Sequence, residues 1–387
     1  MKSVLQKFRV SLLTIIPIFL FAEWPTEINS TVDFPGIVYG GFLSDGRGGA
    51  WVAGENYFGE IFLTRITRTG EFIAPEWIPI GGLYDGQFST GMFMSEDSCL
   101  IIAFCQYEYI EDIINPKGYA YVQKIDLNGT KLWSDGGVLV SSEQSAFTAG
   151  ALNGIPRICT DQQGGAYASW LDYRNHDGLF PSIYSQHVVS NGNTEWQDGG
   201  KCILYYIDDE WVDIFATPDS QFVTGASYRN EQRYMYFMVD DSGDTLYQLD
   251  HLEGRRGNLK AIDSDYNYYY QDTYSDDGIF IHKFSRDGNA LWGENGAFVT
   301  ADSMRGFIRS TFVDDDGGYF ISWNFQGAPF PHRGPYFQWV GSNGETFFDE
   351  PQQASSINRP FSFFQSDSNI VLMLGQSKPP CRIQALI

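Results

Sequence analysis

Short runs of alternating apolar and polar residues occupy most of the chain, and tight turns rich in Gly and Asp separate them. Two clear runs are "GAYASWLD" at residues 165–172 and "IYSQHVV" at 183–189. Alternation with a period of two is typical of β-strands with one face buried. No window sustains apolar positions every 3.6 residues between helix caps. The pattern therefore predicts an all-β fold.

One turn motif precedes a strand in every repeat. "DQQGGAYASW" from Asp161 has glycines three and four residues after the aspartate, and the same spacing recurs from Asp45 and Asp314. Weaker copies begin near residues 97, 219, 263 and 367. Gly adopts positive φ without steric cost, and an Asp side chain accepts backbone N–H groups within a turn. Because the motif recurs, we interpret it as a structural turn and not as a ligand-binding loop.

A second motif lies between copies of the first. It consists of a strand, a Gly-containing turn and an aromatic residue four positions after the glycine, as in Gly129 with Trp133 and Gly192 with Trp196. A short apolar strand completes the unit. We expect the Trp to cover one repeat against the next.

The two motifs together define seven repeats of four strands. The copies of the first motif start near residues 45, 97, 161, 219, 263, 314 and 367, which are 44 to 64 residues apart. Periods of this length with four strands each are typical of propeller blades. The sequence thus predicts a seven-bladed β-propeller, with residues 23–387 forming a single domain.

The two ends of the chain suggest how the ring closes. The seventh repeat has three strands and then the chain stops, while residues 23–34, "EWPTEINSTVDF", precede the first repeat and have no partner within it. We expect residues near Glu27–Phe34 to pair with Cys381–Ile387. This pairing would close the propeller with the N-terminal strand and remove an exposed sheet edge.

Residues 1–22 have the composition of a secretory signal peptide. Lys2, Lys7 and Arg9 precede the apolar run Val10–Ala22. At 13 residues this run is shorter than the ~20 that cross a bilayer. We expect cleavage after Ala22 and an exported protein, periplasmic or extracellular, with no membrane span after cleavage. A retained membrane anchor is the alternative.

Charge and cysteine content narrow the classes of partner. The formal net charge is −23, which repels nucleic-acid phosphates and anionic lipids. We therefore expect no nucleic-acid partner. The five cysteines are Cys99, Cys105, Cys159, Cys202 and Cys381. Their spacing is not that of a metal site, and their odd number does not indicate a disulfide framework. We therefore expect these cysteines to act as small, buried apolar residues.

The third repeat carries a family resemblance. Its sequence "SWLDYRNHDGLFPSIYSQHVVSNGNTEWQDGG" resembles repeats of secreted bacterial β-propeller proteins, a resemblance that implies a propeller and export but no defined reaction. "FSRDGNALW" is similar to the Asp-box of sialidase-like propellers, and the aromatic turn is faintly similar to that of quinoprotein propellers. Neither similarity brings catalytic or cofactor residues with it. We expect no cofactor; Ca²⁺ at the acidic turn Asp314–Asp316 is an alternative to a solvated turn.

We expect the ligand-binding face to be the one that carries the longer loops. These loops connect the second and third strands of a blade, and one blade to the next. Long loops on a rigid frame are where propellers bind ligands. The candidate ligand-binding residues are Tyr107, Glu108, Tyr109, Asp172, Arg174, Asn175, His176, Tyr228, Arg229, Asn230, Trp323, His332 and Arg333.

Structural roles compete with ligand binding at several of these positions. Asp172 and Arg174 could instead pair with groups of the neighbouring blades, and His176 and His332 could be exposed loop residues without a catalytic role. The tyrosine-rich run at residues 266–274 could stack on sugars or pack between blades.

Three functions remain open on the sequence. The favoured hypothesis is a non-catalytic module, expected to be a monomer, that binds an extracellular glycan, peptide or protein. It is favoured because no nucleophile–base set is evident. The second hypothesis is a carbohydrate hydrolase that uses two carboxylates near the propeller axis, about 5–10 Å apart. The third is a structural component of a cell-surface assembly.

Overall fold

The structure is a computed structural model, and it is all-β in the residues it describes. These are residues 32–34, 39–55, 60–67, 71–73, 78–80, 86–108, 117–141, 156–174, 181–205, 207, 212–228, 233–249, 257–275, 278–301, 306–314, 316–325, 334–353, 361–366, 369–374 and 381–383. Every regular element in these ranges is a β-strand, as the alternating pattern predicted.

The strands follow one another in the order of the repeats. They are β1 (Val32–Phe34); β2 (Tyr39–Ser44), β3 (Ala50–Glu55), β4 (Ile61–Ile66) and β5 (Ile78–Pro79); β6 (Gly86–Met94), β7 (Leu100–Glu108), β8 (Lys117–Ile125) and β9 (Val138–Leu139); β10 (Arg157–Thr160), β11 (Ala166–Asp172), β12 (Ser182–Val188) and β13 (Lys201–Leu204); β14 (Val212–Ala216), β15 (Phe222–Tyr228), β16 (Arg233–Val239) and β17 (Thr245–Gln248); β18 (Asn258–Ile262), β19 (Tyr268–Ser275), β20 (Gly278–Phe284) and β21 (Ala297–Ala301); β22 (Phe307–Val313), β23 (Tyr319–Phe325), β24 (Gly334–Val340) and β25 (Gln352–Gln353); β26 (Phe361–Ser366), β27 (Asn369–Leu374) and β28 (Cys381–Ile383).

Six blades of a β-propeller account for β2 to β25. Each blade is a four-stranded antiparallel sheet whose strands pair in chain order. In the third blade, for example, Ser169 of β11 pairs with Arg157 of β10 on one side and with Ser185 of β12 on the other. The first strands β2, β6, β10, β14, β18 and β22 lie next to one another in this order. In a β-propeller the blades surround a central channel, which these six strands border together with β26, the neighbour of both β22 and β2.

The structure corrects the predicted number of blades from seven to six. The seventh repeat contributes β26 and β27, which form a two-stranded sheet of their own. Its last strand, β28, pairs with β1 in a second two-stranded sheet and does not extend the first one. The described residues therefore contain no seventh four-stranded sheet.

The hydrophobic core lies between blades. One cluster joins Trp133 of the second blade to Trp170 and Val188 of the third, and another joins Tyr269 of the fifth blade to Trp323 of the sixth. The middle strands are consequently covered on both faces, and every residue of β11 and of β23 is buried. Three of the cysteines are buried as expected, namely Cys99, Cys105 and Cys159.

The Asp–x–x–Gly–Gly motif forms the turn between the first two strands of a blade. Oδ1 of Asp161 accepts hydrogen bonds from the backbone N–H groups of Gln163 and Gly165, at 2.8 Å each. Gly164 has φ of +85°. A Cβ on Gly165 would lie 2.2 Å from the carbonyl oxygen of Val188 on the third strand. Both glycines are therefore required by the turn itself, and the interpretation of the motif as scaffold is confirmed.

The aromatic residue after the second turn covers the next blade, as predicted. Trp133 Nε1 donates to the carbonyl oxygen of Ser190, 3.0 Å away in the third blade. A Cβ on Gly192 would lie 2.6 Å from Trp133 Cδ1, so the ring lies directly against this glycine. The same bond recurs from Trp196 to Asp241 at 2.9 Å and from Trp292 to Ser342 at 2.9 Å.

Candidate functional site

The predicted ligand-binding residues lie largely outside the described side chains. Tyr107 and Glu108 are at the end of β7 and Tyr228 is at the end of β15, and only their backbones are described. Seven others lie outside the described residues: Tyr109, Asn175, His176, Arg229, Asn230, His332 and Arg333. The structure describes the side chains of the other three candidates, Asp172, Arg174 and Trp323.

Asp172 and Arg174 form an ion pair with each other at the end of β11. Arg174 Nη2 lies 2.5 Å from Asp172 Oδ2, and the Asp172 side chain is fully buried. Trp170 Nε1 donates to the same carboxylate oxygen at 3.0 Å. The Arg174 guanidinium also donates to the Gly199 carbonyl oxygen at 2.8 Å and lies 4.0 Å from the centre of the Tyr184 ring. The pair forms within the third blade, so these charges stabilise the base of the loop that follows.

Aromatic residues that were candidates for sugar stacking are packed inside the fold. Trp323 is fully buried and stacks on Tyr336 with 6.1 Å between ring centres. Tyr268, Tyr269 and Tyr270 are also fully buried. Tyr269 stacks on Tyr319 of the sixth blade at 5.7 Å. The inter-blade packing alternative is thus confirmed for the three tyrosines, and Trp323 has a packing role.

A repeated contact between a basic residue and an aspartate, which the sequence analysis missed, links the turns to the third strands as three ion pairs and one His–Asp hydrogen bond. The second-last residue of the third strand is basic in four blades, and it reaches an aspartate of the first turn. Arg65 Nη2 lies 2.5 Å from Asp45, Lys124 Nζ 2.6 Å from Asp97, His187 Nε2 2.9 Å from Asp161 and Lys283 Nζ 3.4 Å from Asp263. In the sequence these basic residues stand immediately before the last residue of an alternating strand.

Three of these basic residues also hold the following blade. Arg65 Nη1 donates to the Leu127 carbonyl oxygen at 2.9 Å, and Lys124 Nζ donates to that of Gly164 at 2.6 Å. Lys283 Nζ donates to that of Gly317 at 3.1 Å. Each of these side chains therefore bonds both to an aspartate of its own blade and to the backbone of the next blade.

A different group of charges lies on the first strands, which border the central channel. Arg157, Asp213 and Lys260 are on β10, β14 and β18, the first strands of three successive blades. Asp213 Oδ2 accepts a hydrogen bond from the Tyr236 hydroxyl at 3.2 Å, and that hydroxyl accepts one from the Leu259 N–H at 2.9 Å. Tyr236 therefore joins the carboxylate of the fourth blade to the strand that carries Lys260. We call Arg157, Asp213 and Lys260 the channel triad.

Burial lowers the pKa of the Lys260 ammonium below its ordinary value of 10.5. Asp213 acts in the opposite direction, because a neighbouring negative charge favours the ammonium, and Arg157 adds to the lowering. The three groups therefore interact electrostatically. Groups whose pKa is perturbed by burial and by a specific charge occur often at functional sites.

The sequence did contain a signal for the channel triad. The first strands "RICT", "VDIFA" and "NLKAI" each have one charged side chain in an otherwise short, mostly apolar stretch. The pattern of long loops points elsewhere, because loops are the usual binding elements of propellers.

No group of three or more possible metal ligands occurs among the described residues. At the acidic turn that was considered for Ca²⁺, Asp314 Oδ1 accepts the N–H groups of Asp316 at 3.0 Å and Gly318 at 2.6 Å, as in the other turns of this type. In the ranges that the structure describes, no helix is long and apolar enough to cross a membrane.

Comparisons with known proteins support the fold only. No family model matches the chain, and no curated protein is significantly similar to it. Among solved structures, a mutant of prolyl oligopeptidase B from Galerina marginata bound to a 25mer macrocyclization substrate superposes with a TM-score of 0.54 at 9% identity. The match covers 91% of this chain and 48% of that one, so this chain corresponds to about half the length of the peptidase. An α-L-arabinofuranosidase from Fusarium graminearum has a TM-score of 0.43 at 10% identity, with 93% and 98% of the two chains covered.

Proposed function

We propose that the protein is a non-catalytic propeller module that binds an extracellular glycan, peptide or protein. The observation that carries the proposal is that buried carboxylates are already bonded to basic side chains and to the backbone. Asp45, Asp161 and Asp172 each accept bonds from a basic side chain and from the backbone. A glycoside hydrolase needs a pair of carboxylates available to the substrate. These three carboxylates hold turns and strand ends in place instead.

The loops that follow the second strands of the blades are the proposed contact surface. Asp172 and Arg174 fix the backbone at the start of one such loop, and the candidate residues Asn175 and His176 follow directly. A rigid loop base favours binding because less conformational freedom is lost when a ligand is held. A monomer is sufficient for this function.

The purified protein, applied to arrays of glycans and peptides, tests the proposal. We expect binding to one class of polymer and no release of reducing sugar or cleaved peptide from the bound ligand. Turnover of a glycan would favour the hydrolase instead. Binding only to another protein of the same cell surface would favour an assembly role.

We also propose that the protein is exported and that residues 1–22 are removed. The basic start and the 13-residue apolar run support this proposal. Determination of the N-terminal residue of the protein recovered from the periplasm and the medium tests it. A start at Glu23 supports cleavage, whereas a start at Met1 in the membrane fraction supports an anchor.

We propose closure of the ring by the N-terminal strand as the finer description of the fold. Its support is the antiparallel register of β1 with β28, in which Val32 pairs with Ile383 and Phe34 with Cys381. Strand β26 lies beside both β22 and β2, and β28 lies near β27. The two small sheets, β26–β27 and β1–β28, would together fill the gap between the sixth blade and the first.

A further inference from the structure

The backbone around Lys260 differs from that of a regular first strand. The pairing of β18 with β19 shifts register between Leu259 and Ala261, so Lys260 is the extra residue of a β-bulge. Bulges redirect side chains and occur often next to functional sites. The bulge therefore gives Lys260 a direction that regular pairing would not.

Lys260 is also bonded differently from the other buried lysines. Lys124 and Lys283 each reach a carboxylate and a backbone carbonyl oxygen of the next blade. The Lys260 ammonium makes no hydrogen bond or ion pair with another of the described residues. A partly buried ammonium with no direct partner among those residues retains its capacity to donate to an anion.

The three described groups of the channel triad carry a net positive charge. Asp213 contributes one negative charge and accepts the Tyr236 hydroxyl, while Arg157 and Lys260 contribute two positive charges. Among these described groups the charges sum to +1, inside a chain whose formal net charge is −23. The surrounding acidity repels polyanions and phosphate dianions more strongly than a single carboxylate.

We propose that the channel triad is a binding site for one carboxylate group of the ligand, with Lys260 as the direct donor. This inference rests on the proposed binding function and specifies the chemistry of its ligand. The carboxylate can be that of an acidic sugar or the C-terminal carboxylate of a peptide. Asp213 limits the strength of binding, since its charge opposes that of the ligand.

Isothermal titration of the full chain with four probes tests the proposal. D-glucuronate is compared with D-glucose, and a tripeptide with a free C-terminal carboxylate is compared with its amidated form. We expect the carboxylate member of one pair to bind and its neutral partner not to bind. The pair that shows the difference identifies the source of the carboxylate.

Three variants assign the site. Lys260→Met keeps the length of the side chain and removes its charge, and we expect it to weaken binding about tenfold or more. Lys260→Arg retains a charged donor and should bind within a few-fold of the original, on the order of the difference between two basic donors. Asp213→Asn keeps an acceptor for Tyr236 and removes the opposing charge, so binding should tighten. If Lys260→Met does not fold, the tighter binding expected of Asp213→Asn still tests the site.

Equal dissociation constants for the original protein, Lys260→Met and Asp213→Asn would overturn the site. So would equal binding of each carboxylate and its neutral partner. The array experiment separates these outcomes from a failure of the proposed function. If the Lys260→Met variant binds the array ligand as tightly as the original protein does, the proposed binding function stands and the carboxylate site is refuted.

Discussion

Lys124 of the second blade donates from Nζ to the carbonyl oxygen of Gly164 in the third blade at 2.6 Å. The same ammonium lies 2.6 Å from Asp97 in its own blade. The Lys124 side chain is almost completely buried, whereas Asp97 is half-exposed. The lysine is thus a bridge between two turns of successive blades, and its removal would leave the Gly164 carbonyl without its bond.

We expect Lys124→Met to lower the free energy of unfolding by about 1–3 kcal/mol, the usual cost of losing a buried hydrogen bond to a charged group. Met is a reasonable replacement because Met238 occupies the equivalent position of the fourth blade. Chemical denaturation measures the change. Lys201→Met is the control, since Lys201 pairs with Asp244 on the surface and exposed pairs contribute about 0–1 kcal/mol. Equal losses in the two variants would contradict the bridging role.

Gly165→Ala should destabilise the third blade by about 1–3 kcal/mol or more, the cost of overpacking a filled site. The new Cβ would lie 2.2 Å from the Val188 carbonyl oxygen and 2.4 Å from an Asp161 oxygen. Gly136→Ala is a matched control, because a Cβ there meets nothing within 4 Å. Thermal unfolding of both variants checks the prediction, and a Gly165→Ala variant as stable as Gly136→Ala would refute the close approach.

We expect the protein to lose stability in acid because the Asp161 carboxylate becomes protonated. Burial raises the pKa of this carboxyl, but hydrogen bonds from His187, Gln163 and Gly165 outweigh it and hold the pKa below the ordinary 3.8. A carboxyl with a depressed folded pKa stabilises the fold above its unfolded pKa, and this contribution is lost as pH falls through the folded value. We expect the unfolding free energy to decrease as pH falls below about 3.8.

Asp161→Asn is the control for this acid effect. The amide oxygen can still accept the turn N–H groups, but position 161 no longer titrates. Urea unfolding at a series of pH values should give a shallower loss below 3.8 in the variant. Parallel curves for the two proteins would show that other carboxyls account for the acid sensitivity.

Deletion of residues 23–34 tests the closure of the ring. The deletion removes β1, the partner of β28, and bares a strand edge, so we expect a melting temperature lower by many degrees and aggregation on heating. Deletion of residues 23–30 leaves β1 in place and should unfold near the original temperature. An unchanged melt after the longer deletion would count against closure.

Much of the fold could be predicted from the sequence, because strands and turns depend on local chemistry. The glycines after Asp161 and the Trp after Gly192 have the predicted roles, since a turn and a covering ring are set by residues close in sequence. The number of complete blades was not predictable in the same way. Whether β28 extends the β26–β27 sheet or pairs with β1 depends on strands that are distant in the chain.

The candidate site was less accessible to sequence reasoning. Arg157, Asp213 and Lys260 are about 50 residues apart in sequence, and they become neighbours only because successive first strands line one axis. Whether a single charged residue in a short strand faces an axis or a neighbouring blade depends on sheet geometry. The bulge at Lys260, which has no glycine to mark it, is equally hidden in the sequence.

Three side-chain donors described above bond across blades in the same direction along the chain. The indole of Trp133, the ammonium of Lys124 and the guanidinium of Arg65 each bond to the blade that follows, never in these cases to the one before. During synthesis, therefore, a newly made blade emerges with these donors still unoccupied, and each is satisfied only when the next blade leaves the ribosome. These three junctions can therefore be completed only in the order in which the blades are synthesised.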